Sequence, residues 1–268
     1  MKKLFPFVAL ISFLMLACNI SSATPTVPPT IPIPPTAPAT STPSGPAANV
    51  SCHELSFYLD PLVAAGSTCT IVPARLTGIG AHPQYTQVTL TTYQTGSAVT
   101  PEVDVFSVQS WHDAFPPNGI SDFLTALQGL IAGGTPGQTL PYLNPHESAQ
   151  ALTVQYQVLH SAGSSGIRYL TQMVQNYAVI DNNDLFYTYQ GVTADGQYAV
   201  TAILPIANPV LPNHGDTYPG GETAQQFYDN FPTYIANTTN QLNTQPASTF
   251  APSLGLLDDL ARSIQVHP

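Results

Sequence analysis

The stretch LFYTYQGVTADGQYAVTAIL, residues 185–204, decides the fold of this chain. Its two outer parts, 185–192 and 197–204, are rich in β-branched and aromatic residues, which is typical of strands. Asp195-Gly196 lies between them, and an Asp-Gly pair in that position is a strong signal for a tight turn. The stretch therefore predicts an antiparallel β-hairpin.

Four other runs alternate polar and apolar residues, which also predicts strands: 84–93, 102–109, 151–160 and 166–175. A loop that contains Gly96 and Pro101 joins the first two runs, which predicts a loose hairpin. A flexible Gly/Ser loop, 161–165, joins the other two and predicts a further hairpin.

Three segments change to the helical period: 121–132, 221–242 and 253–266. Asn118 or Ser121 should cap the first helix, and Gly133-Gly134 should end it. Pro232 should kink or split the second helix. Hairpins combined with helices predict an α+β fold, a mostly antiparallel sheet with helices packed on one face. We expect one globular domain over residues 50–268, long enough to bury a substantial core.

The N-terminus has the pattern of an export signal. Met1-Lys2-Lys3 is positively charged, and residues 4–16 are apolar but too short to span a bilayer, which needs about 20 such residues. Residues 14–18, LMLAC, resemble the bacterial lipobox, a signal that is cut before its cysteine. The resemblance implies a signal peptide over 1–17 and a diacylglyceryl group on Cys18. An ordinary signal peptide is the alternative.

The segment after Cys18 is rich in proline. Residues 19–48 contain nine prolines, with Thr, Ser and Ala between them. A chain of this composition cannot bury a core, and it favours extended polyproline II at about 3.1 Å per residue. We therefore expect residues 18–49 to be a disordered tether that holds the following domain off a membrane.

Two further cysteines, Cys52 and Cys69, are expected to form a disulfide in an exported chain. The enclosed residues, 53–68, read as a short helix or turn that ends at Gly66. A metal site that uses His53 with the cysteines is the rival interpretation, but no second group of ligands has suitable spacing. We expect no metal and no cofactor.

Charged residues are scarce in this chain. Only 7% of residues are Asp, Glu, Lys or Arg, against about 25% in typical domains. Once Lys2 and Lys3 leave with the signal, three arginines face 15 acids, which gives a formal charge of −12. This charge argues against nucleic acid as a partner and against a polybasic contact with anionic lipid, so the acyl chains would be the membrane anchor. The low charge content suggests tolerance of mildly acidic surroundings as one interpretation, with drift under little selection on charge as the alternative.

Two runs resemble segments of uncharacterised bacterial surface lipoproteins: LQGLIAGGTPGQTLPYL (127–143) and GIRYLTQMVQNYAVIDNNDLFYTYQGVTADGQYAVTAILPI (166–206). The likeness extends over most of residues 50–266 and implies a tethered surface domain, without an activity. At the level of fold, paired hairpins backed by helices resemble the PsbP/Mog1-like arrangement. That arrangement mostly serves binding and scaffolding, although fold does not determine function.

Three His–acid doublets are candidates for acid–base chemistry: His53-Glu54, His112-Asp113 and His146-Glu147. Neighbours in sequence seldom face the same way, so surface or capping roles are the alternative. Trp111, the only tryptophan, precedes the second doublet in a segment rich in aromatic residues and proline. It is a candidate for stacking on carbohydrate, with a core position as the alternative.

His214 and Asp216 lie in a Gly/Pro-rich loop and are candidate ligand-binding residues, with a cation as one possible ligand. Residues 181–184, Asp-Asn-Asn-Asp, carry closely spaced oxygens but lack the Gly and distal Glu of a calcium loop, so a turn explains them better. Arg168, one of few cations, is expected to pair with an acid.

These patterns favour a lipid-anchored, extracytoplasmic, non-enzymatic domain that binds or scaffolds at the cell envelope. Its partner would be the membrane through Cys18, together with an envelope polymer or a surface protein. Two alternatives stay open. One is a hydrolase of cell-wall or polysaccharide material, with His112 and Asp113 as catalytic residues, and the other is a structural component of a surface layer or filament. Catalytic signatures such as G-x-S-x-G and H-E-x-x-H are absent from the sequence.

Chain isolated from its native membrane should begin at Cys18 and carry a thioether-linked diacylglyceryl group, which mass spectrometry of the intact chain and its peptides would detect. Cys18→Ser removes the acceptor and should move the chain from the membrane fraction to the soluble fraction, because no acyl chain would hold it. Ser21→Ala leaves the lipobox intact and should not change the distribution. A native chain with an unmodified Cys18 contradicts this interpretation.

Overall fold

A computed structural model describes residues 46–143, 148–161 and 163–267. Several sequence predictions lie outside these residues: the signal peptide, Cys18, most of the tether and His146-Glu147. Residues 46–49 are exposed and have no regular secondary structure, and the first strand begins at Val50.

The strands of the described residues are β1 Val50–Cys52, β2 Leu55–Phe57, β3 Ala64–Val72, β4 Tyr85–Tyr93, β5 Glu102–Ser107, β6 Ala149–Gln150, β7 Val154–His160, β8 Ser164–Thr171, β9 Met173–Val174, β10 Phe186–Thr193, β11 Tyr198–Pro205 and β12 Gln265–Val266. The helices are α1 Val108–Ala114, α2 Ser121–Ile131, α3 Ala224–Asn243 and α4 Leu254–Ser263, with short 3-10 helices at Pro219–Gly221 and Ala247–Thr249. None of these helices is long and apolar enough to cross a membrane.

Seven strands form one antiparallel sheet in the order β3-β4-β5-β11-β10-β8-β7. Strands β1, β2 and β12 form a small second sheet, and β6 pairs with β9. The predicted α+β class and the antiparallel sheet are confirmed.

The hairpin predicted from residues 185–204 is β10 and β11, which lie in the middle of the large sheet. Gly196 closes the turn with a φ of +72°, a conformation that glycine adopts without steric cost. Every residue of β10 is buried. This strand is covered on both faces, and its buried residues include polar ones, such as Thr188 and Gln190, as well as aromatic rings.

Helices pack on both faces of the sheet, where the sequence led us to expect one. On one face, Leu242 of α3 and Leu257 of α4 pack into the main core with Leu170 of β8. On the other face, Leu127 of α2 packs with Tyr169 of β8 in a second core. Successive residues of a strand point to opposite faces, so one strand contributes to both cores.

The disulfide between Cys52 and Cys69 is confirmed, and it joins β1 to β3 with the two Cα atoms 5.5 Å apart. Disulfides persist in oxidising compartments, so the bridge indicates a location outside the cytoplasm. The expected helix or turn that ends at Gly66 is wrong, because Leu55–Phe57 form β2 and Gly66 lies inside β3, which begins at Ala64. A Cβ on Gly66 would come within 2.8 Å of Thr91 Oγ1, so close cross-strand contact explains this glycine.

The boundaries around α1 and α2 differ from the prediction. Strand β5 ends early, at Ser107, whose Oγ accepts a hydrogen bond from Ser110 N and caps α1. The N-cap residue of α2 is Ile120, which makes no side-chain cap, so the expected caps Asn118 and Ser121 are wrong. Short-range cap signals are therefore unreliable in this segment.

Helix α3 continues through Pro232. Thr223 and Gln226 form a capping box at its start, in which Gln226 Oε1 accepts from Thr223 N at 2.9 Å. Phe227 and Leu242 are buried on either side of the proline. Packing of both halves outweighs the hydrogen bond that proline cannot donate, so the expected split does not occur.

Arg168 has an acidic partner, as expected. Its Nε lies 3.1 Å from Asp258 Oδ1 on α4, and both side chains are almost fully buried. Tyr187 Oη also donates to Asp258 Oδ1 at 3.1 Å. Arg168 Nη2 donates to Gln157 Oε1 at 2.9 Å, and Nη1 donates to the carbonyl oxygen of Gln155. This network joins α4 to β7, β8 and β10.

Asp258→Asn should lower the free energy of unfolding by about 3–5 kcal/mol, because it leaves the guanidinium of Arg168 buried without a countercharge. Urea denaturation of the full chain measures the change. Asp259→Asn is the matched control, because Asp259 is exposed and pairs with Arg262 at the surface. Its substitution should cost at most about 1 kcal/mol. Equal effects of the two substitutions would contradict this role for Asp258.

Candidate binding surface

A groove of about 720 Å³ lies between α3 and the edge of the large sheet. One wall is formed by α3 from Phe231 to Asn243. The other wall is formed by residues 150–153, by Tyr156 of β7 and by the loop 136–139. We call it the neutral groove.

Every described residue that lines the neutral groove is uncharged. Apolar surface comes from side chains such as Tyr156, Phe231 and Ile235. Hydroxyl and amide groups come from seven polar side chains: Gln138, Thr139, Gln150, Thr153, Thr239, Asn240 and Asn243. Such groups donate and accept hydrogen bonds without carrying charge. The combination suits a ligand that has apolar faces and hydroxyl groups.

Hydrogen bonds hold the loop wall of the neutral groove in place. The side chain of Gln150 accepts from Leu140 N at 3.0 Å and donates to Leu140 O at 2.8 Å. Thr153 Oγ1 donates to the carbonyl oxygen of Gln138 at 3.2 Å. The loop is therefore tied to the chain on the sheet side of the groove.

The helix wall is held by Gln155, which lies at an irregularity in the pairing of β7 with β8. Gln155 N donates to Asn243 Oδ1 at 2.7 Å, and its Nε2 donates to Leu242 O at 2.8 Å. The end of α3 is thus fixed relative to the sheet edge. A groove with fixed walls loses little conformational freedom when it binds a ligand.

A row of aromatic side chains continues from the neutral groove along α3. We call it the aromatic strip, and its members are Tyr177, Tyr218, Phe227, Tyr228, Phe231 and Tyr234. Tyr177 stacks on Phe231 with ring centroids 4.4 Å apart and planes at 13°. Tyr177 and Tyr228 are 53% and 41% exposed. Phe227 is buried beneath them, so the strip presents to solvent mainly the rings of Tyr177 and Tyr228, with Tyr218, Phe231 and Tyr234 half-buried.

The aromatic strip borders a second groove of about 350 Å³, which we call the acidic groove. It is lined by two rings of the strip and by four ionisable side chains: Tyr177, Tyr218, Asp181, Asp184, His214 and Asp216. The structure therefore brings together residues 181–184 and the candidates His214 and Asp216, which the sequence could not relate to each other.

Asp181 shapes the acidic groove as a turn. Its Oδ1 accepts from the backbone N of Asn183 at 3.0 Å and of Asp184 at 2.9 Å, and its Oδ2 accepts from Gly215 N at 2.6 Å. Burial, together with the neighbouring Asp181, raises the pKa of Asp184. The oxygens of Asp181 are thus used in holding two loops together, which agrees with the turn that the sequence favours.

In the described part of the chain, the only close group of metal-ligating side chains is Cys52, His53 and Cys69, whose ligand atoms lie within 4.8 Å of one another. Both sulfurs are in the disulfide, so neither is a thiolate that could bind a metal. Glu54 accepts a hydrogen bond from Thr86 Oγ1 at 2.8 Å. The first His–acid doublet therefore directs its carboxylate to β4.

Trp111 is 6% exposed and packs near Phe106 and Phe115 in a buried cluster. The centroid of the Trp111 ring lies 6.0 Å from the ring centroid of Phe106 and 5.2 Å from that of Phe115. The structure thus places this tryptophan in the core, the alternative that the sequence left open. A buried ring has no free face on which a sugar could stack.

His112 and Asp113 lie on α1, next to this tryptophan. Asp113 Oδ1 accepts a hydrogen bond from Gln109 Nε2 at 2.7 Å, one turn earlier in the helix. Neither residue lines the neutral groove or the acidic groove. These two candidates therefore lie outside both grooves.

Two carboxyl groups that sequence analysis did not single out lie on the sheet face that carries α2. Glu102 and Asp104 are two residues apart on β5, so their side chains point to the same face. Asp104 is fully buried. Burial raises the pKa of Glu102 to about 7. Burial and these two carboxyl groups raise the pKa values of Tyr85 and Tyr142.

Protein-family models, curated proteins and solved structures show no match to this chain. The candidate surfaces are therefore interpreted from their own geometry.

The aromatic strip is not evident from the sequence. The helical period over 221–242 assigns Phe227, Tyr228 and Phe231 to a single apolar stripe, and this is right for Phe227, which is buried. Tyr228 follows Phe227 directly and so lies about 100° around the helix from it. One signal in the sequence could have indicated the exposed rings. Segment 221–242 contains more aromatic residues than a single buried stripe of a helix can hold.

The raised pKa of Glu102 predicts that mild acid stabilises the protein. This carboxyl has an ordinary pKa of 4.5 and a pKa of about 7 in the folded chain, so the folded state holds a proton that the unfolded state releases. The stabilisation is complete below the ordinary pKa of 4.5 and is lost as the pH rises through the folded-state pKa of about 7. The free energy of unfolding should therefore fall by up to about 3 kcal/mol from about pH 5 to about pH 8.

Urea denaturation at both pH values measures this difference. Glu102→Gln replaces the carboxyl with a neutral group of the same shape and should flatten the dependence. Glu222→Gln, in the residue before the N-cap of α3 and away from β5, should leave it unchanged. A free energy of unfolding that rises with pH in the native chain, or an unaltered slope in Glu102→Gln, would show that Glu102 does not behave in this way.

Proposed function

We propose that this chain is a lipid-anchored extracytoplasmic module that binds an uncharged polysaccharide of the cell envelope. The observation that supports the proposal is the neutral groove, in which described residues with hydroxyl, amide and aromatic side chains line a surface without charge. Phe231 belongs both to this groove and to the aromatic strip, so the binding surface extends along α3.

A sugar ring has apolar C–H faces and a rim of hydroxyl groups. The apolar faces pack on aromatic rings such as Phe231 and Tyr177, and the hydroxyl groups exchange hydrogen bonds with Asn240, Asn243 and Thr239. Because the aromatic strip continues beyond the groove, the surface suits a chain of sugar units better than an isolated sugar.

Net charge favours a neutral polymer over an acidic one. After removal of the signal peptide the chain has three arginines against 15 acids, so polyanions such as nucleic acid are repelled. A neutral polysaccharide loses nothing from this repulsion.

The proposed location follows from the N-terminal sequence and from the disulfide. Acyl chains on Cys18 would hold the chain at the membrane, and the proline-rich tether would let the domain reach polymer some distance away. The Cys52–Cys69 bridge is consistent with an oxidising space outside the cytoplasm.

A hydrolase of the same polymer is the weaker alternative. Most glycosidases need two carboxyl groups that flank the scissile bond. The described residues that line the neutral groove include no carboxyl group, and His112 and Asp113 do not line it. We therefore assign binding and not cleavage to this surface.

The test uses the full chain in mild detergent and the envelope polysaccharide of its own source cells, freed from protein by protease digestion and immobilised on a sensor. The native chain should bind the polymer. Phe231→Ala should weaken binding about tenfold, because a stacking ring is lost from the shared part of groove and strip. Leu62→Ala is the matched control, because Leu62 is 68% exposed but outside both grooves.

Failure of the polymer to bind, or equal losses in the two variants, would reject the proposal. Release of shorter sugar chains from the polymer would favour the hydrolase. Concentration-dependent self-association in analytical ultracentrifugation, without polymer binding, would favour the structural component of a surface layer.

A further inference from the structure

A cavity of about 590 Å³ opens beside Glu102, on the sheet face that carries α2. We call it the Glu102 cavity. Four apolar side chains form much of its wall: Ile79, Met173, Phe186 and Ile203. The ring of Tyr142 lines it as well, with its centroid 6.2 Å from that of Phe186. A cavity of this size, in which apolar side chains lie beside polar groups, has room for a small molecule.

Glu102 is the only carboxyl group among the described residues that line the cavity. Gln87 Nε2 donates to its Oε2 at 3.0 Å, whereas Oε1 has no hydrogen-bond partner within the described ranges. A carboxylate that is partly removed from water gains most from a charged donor. The cavity therefore combines an apolar wall with one acceptor that has room for a partner.

The other titratable groups near this carboxylate make its surroundings negative. Asp104 is two residues along β5 and on the same face. The phenols of Tyr85 and Tyr142 stay neutral, because burial and the two carboxyl groups raise their pKa values. His82 contacts the ring of Tyr85 edge-on, with centroids 5.0 Å apart. Arg168 lies on the opposite face of the sheet, where it forms an ion pair with Asp258 of α4.

We infer that the Glu102 cavity binds a small ligand in which an ammonium group is attached to an apolar body. The ammonium group pairs with Glu102 Oε1. The apolar body packs on Phe186 and Ile203, and the rings of Tyr142 and Phe186 add cation–π attraction. This site is separate from the neutral groove, so it does not depend on the proposed polysaccharide.

A metal ion fits the cavity less well. Calcium takes about six to eight oxygen ligands and magnesium needs an octahedral set. Glu102 belongs to no close group of metal-ligating side chains among the described residues. A fully apolar ligand would leave Glu102 Oε1 without a charged partner. An ammonium ion needs only one carboxylate, because its remaining attraction comes from rings and apolar contacts.

The ammonium group and a proton compete for the same carboxylate. Burial raises the pKa of Glu102 to about 7, so below that value the free protein holds a proton that the ligand must displace. The apparent affinity for an amine should therefore fall about tenfold for each pH unit below about pH 7.

Isothermal titration calorimetry of the full chain in mild detergent, at about pH 8 where Glu102 is ionised, tests the inference. The probes are phenethylamine and its neutral analogue 2-phenylethanol. The amine should bind at least about tenfold more tightly than the alcohol, since only the amine forms an ion pair. Glu102→Gln should abolish this preference, and Glu222→Gln should preserve it in the same detergent.

Equal affinities for the amine and the alcohol in the native chain would overturn the inference, as would a preference retained by Glu102→Gln. Absence of amine binding at millimolar concentration would also overturn it. If Glu102→Gln does not fold, the native chain is still decisive. An amine affinity that stays constant from about pH 8 to about pH 6 would show that the carboxylate is not the partner.

Discussion

The buried ion pair between Arg168 and Asp258 constrains much of this structure. A guanidinium group in the core is tolerated only when its donors have partners, and here they reach a carboxylate, a side-chain amide and a backbone carbonyl. The carbonyl belongs to Gln155, which in turn binds the C-terminal end of α3. The spacing between α3 and the sheet edge, and with it the width of the neutral groove, therefore depends on a charge inside the core.

The elements predicted best are those whose signals are local. Asp195-Gly196 determines the central hairpin, because the turn chemistry and the flanking strands are adjacent in the sequence. Residues 53–68 were harder to predict, because their strands depend on pairing with β4 and β12 far along the chain. The position of α2 on its own face of the sheet was hard to predict for the same reason, because it depends on packing against strands far along the chain. The sequence of β8 does not reveal that both of its faces are covered. This becomes clear only when α2 is found on one face and α3 and α4 on the other.

The candidate surfaces were less predictable than the fold, because each gathers segments that are distant in sequence. The neutral groove combines loop 136–139 with the second half of α3, and the acidic groove combines residues 181–184 with His214 and Asp216. In the sequence, Glu102 is simply one residue of a predicted strand. Its burial, which raises its pKa, distinguishes it from other acidic residues and is visible only in the structure. Composition agrees with the lack of charge on the walls of the neutral groove, since the whole chain has few charged residues.

The scarcity of cationic side chains has a further consequence for cleavage by trypsin-like proteases. Trypsin-like enzymes cut after lysine or arginine, and residues 46–267 contain no lysine and three arginines. Arg168 is buried, and Arg262 lies within α4, where the helical backbone resists entry into a protease cleft. The bond after Arg75, in the exposed segment between β3 and β4, is thus the accessible cleavage point for such enzymes in these residues.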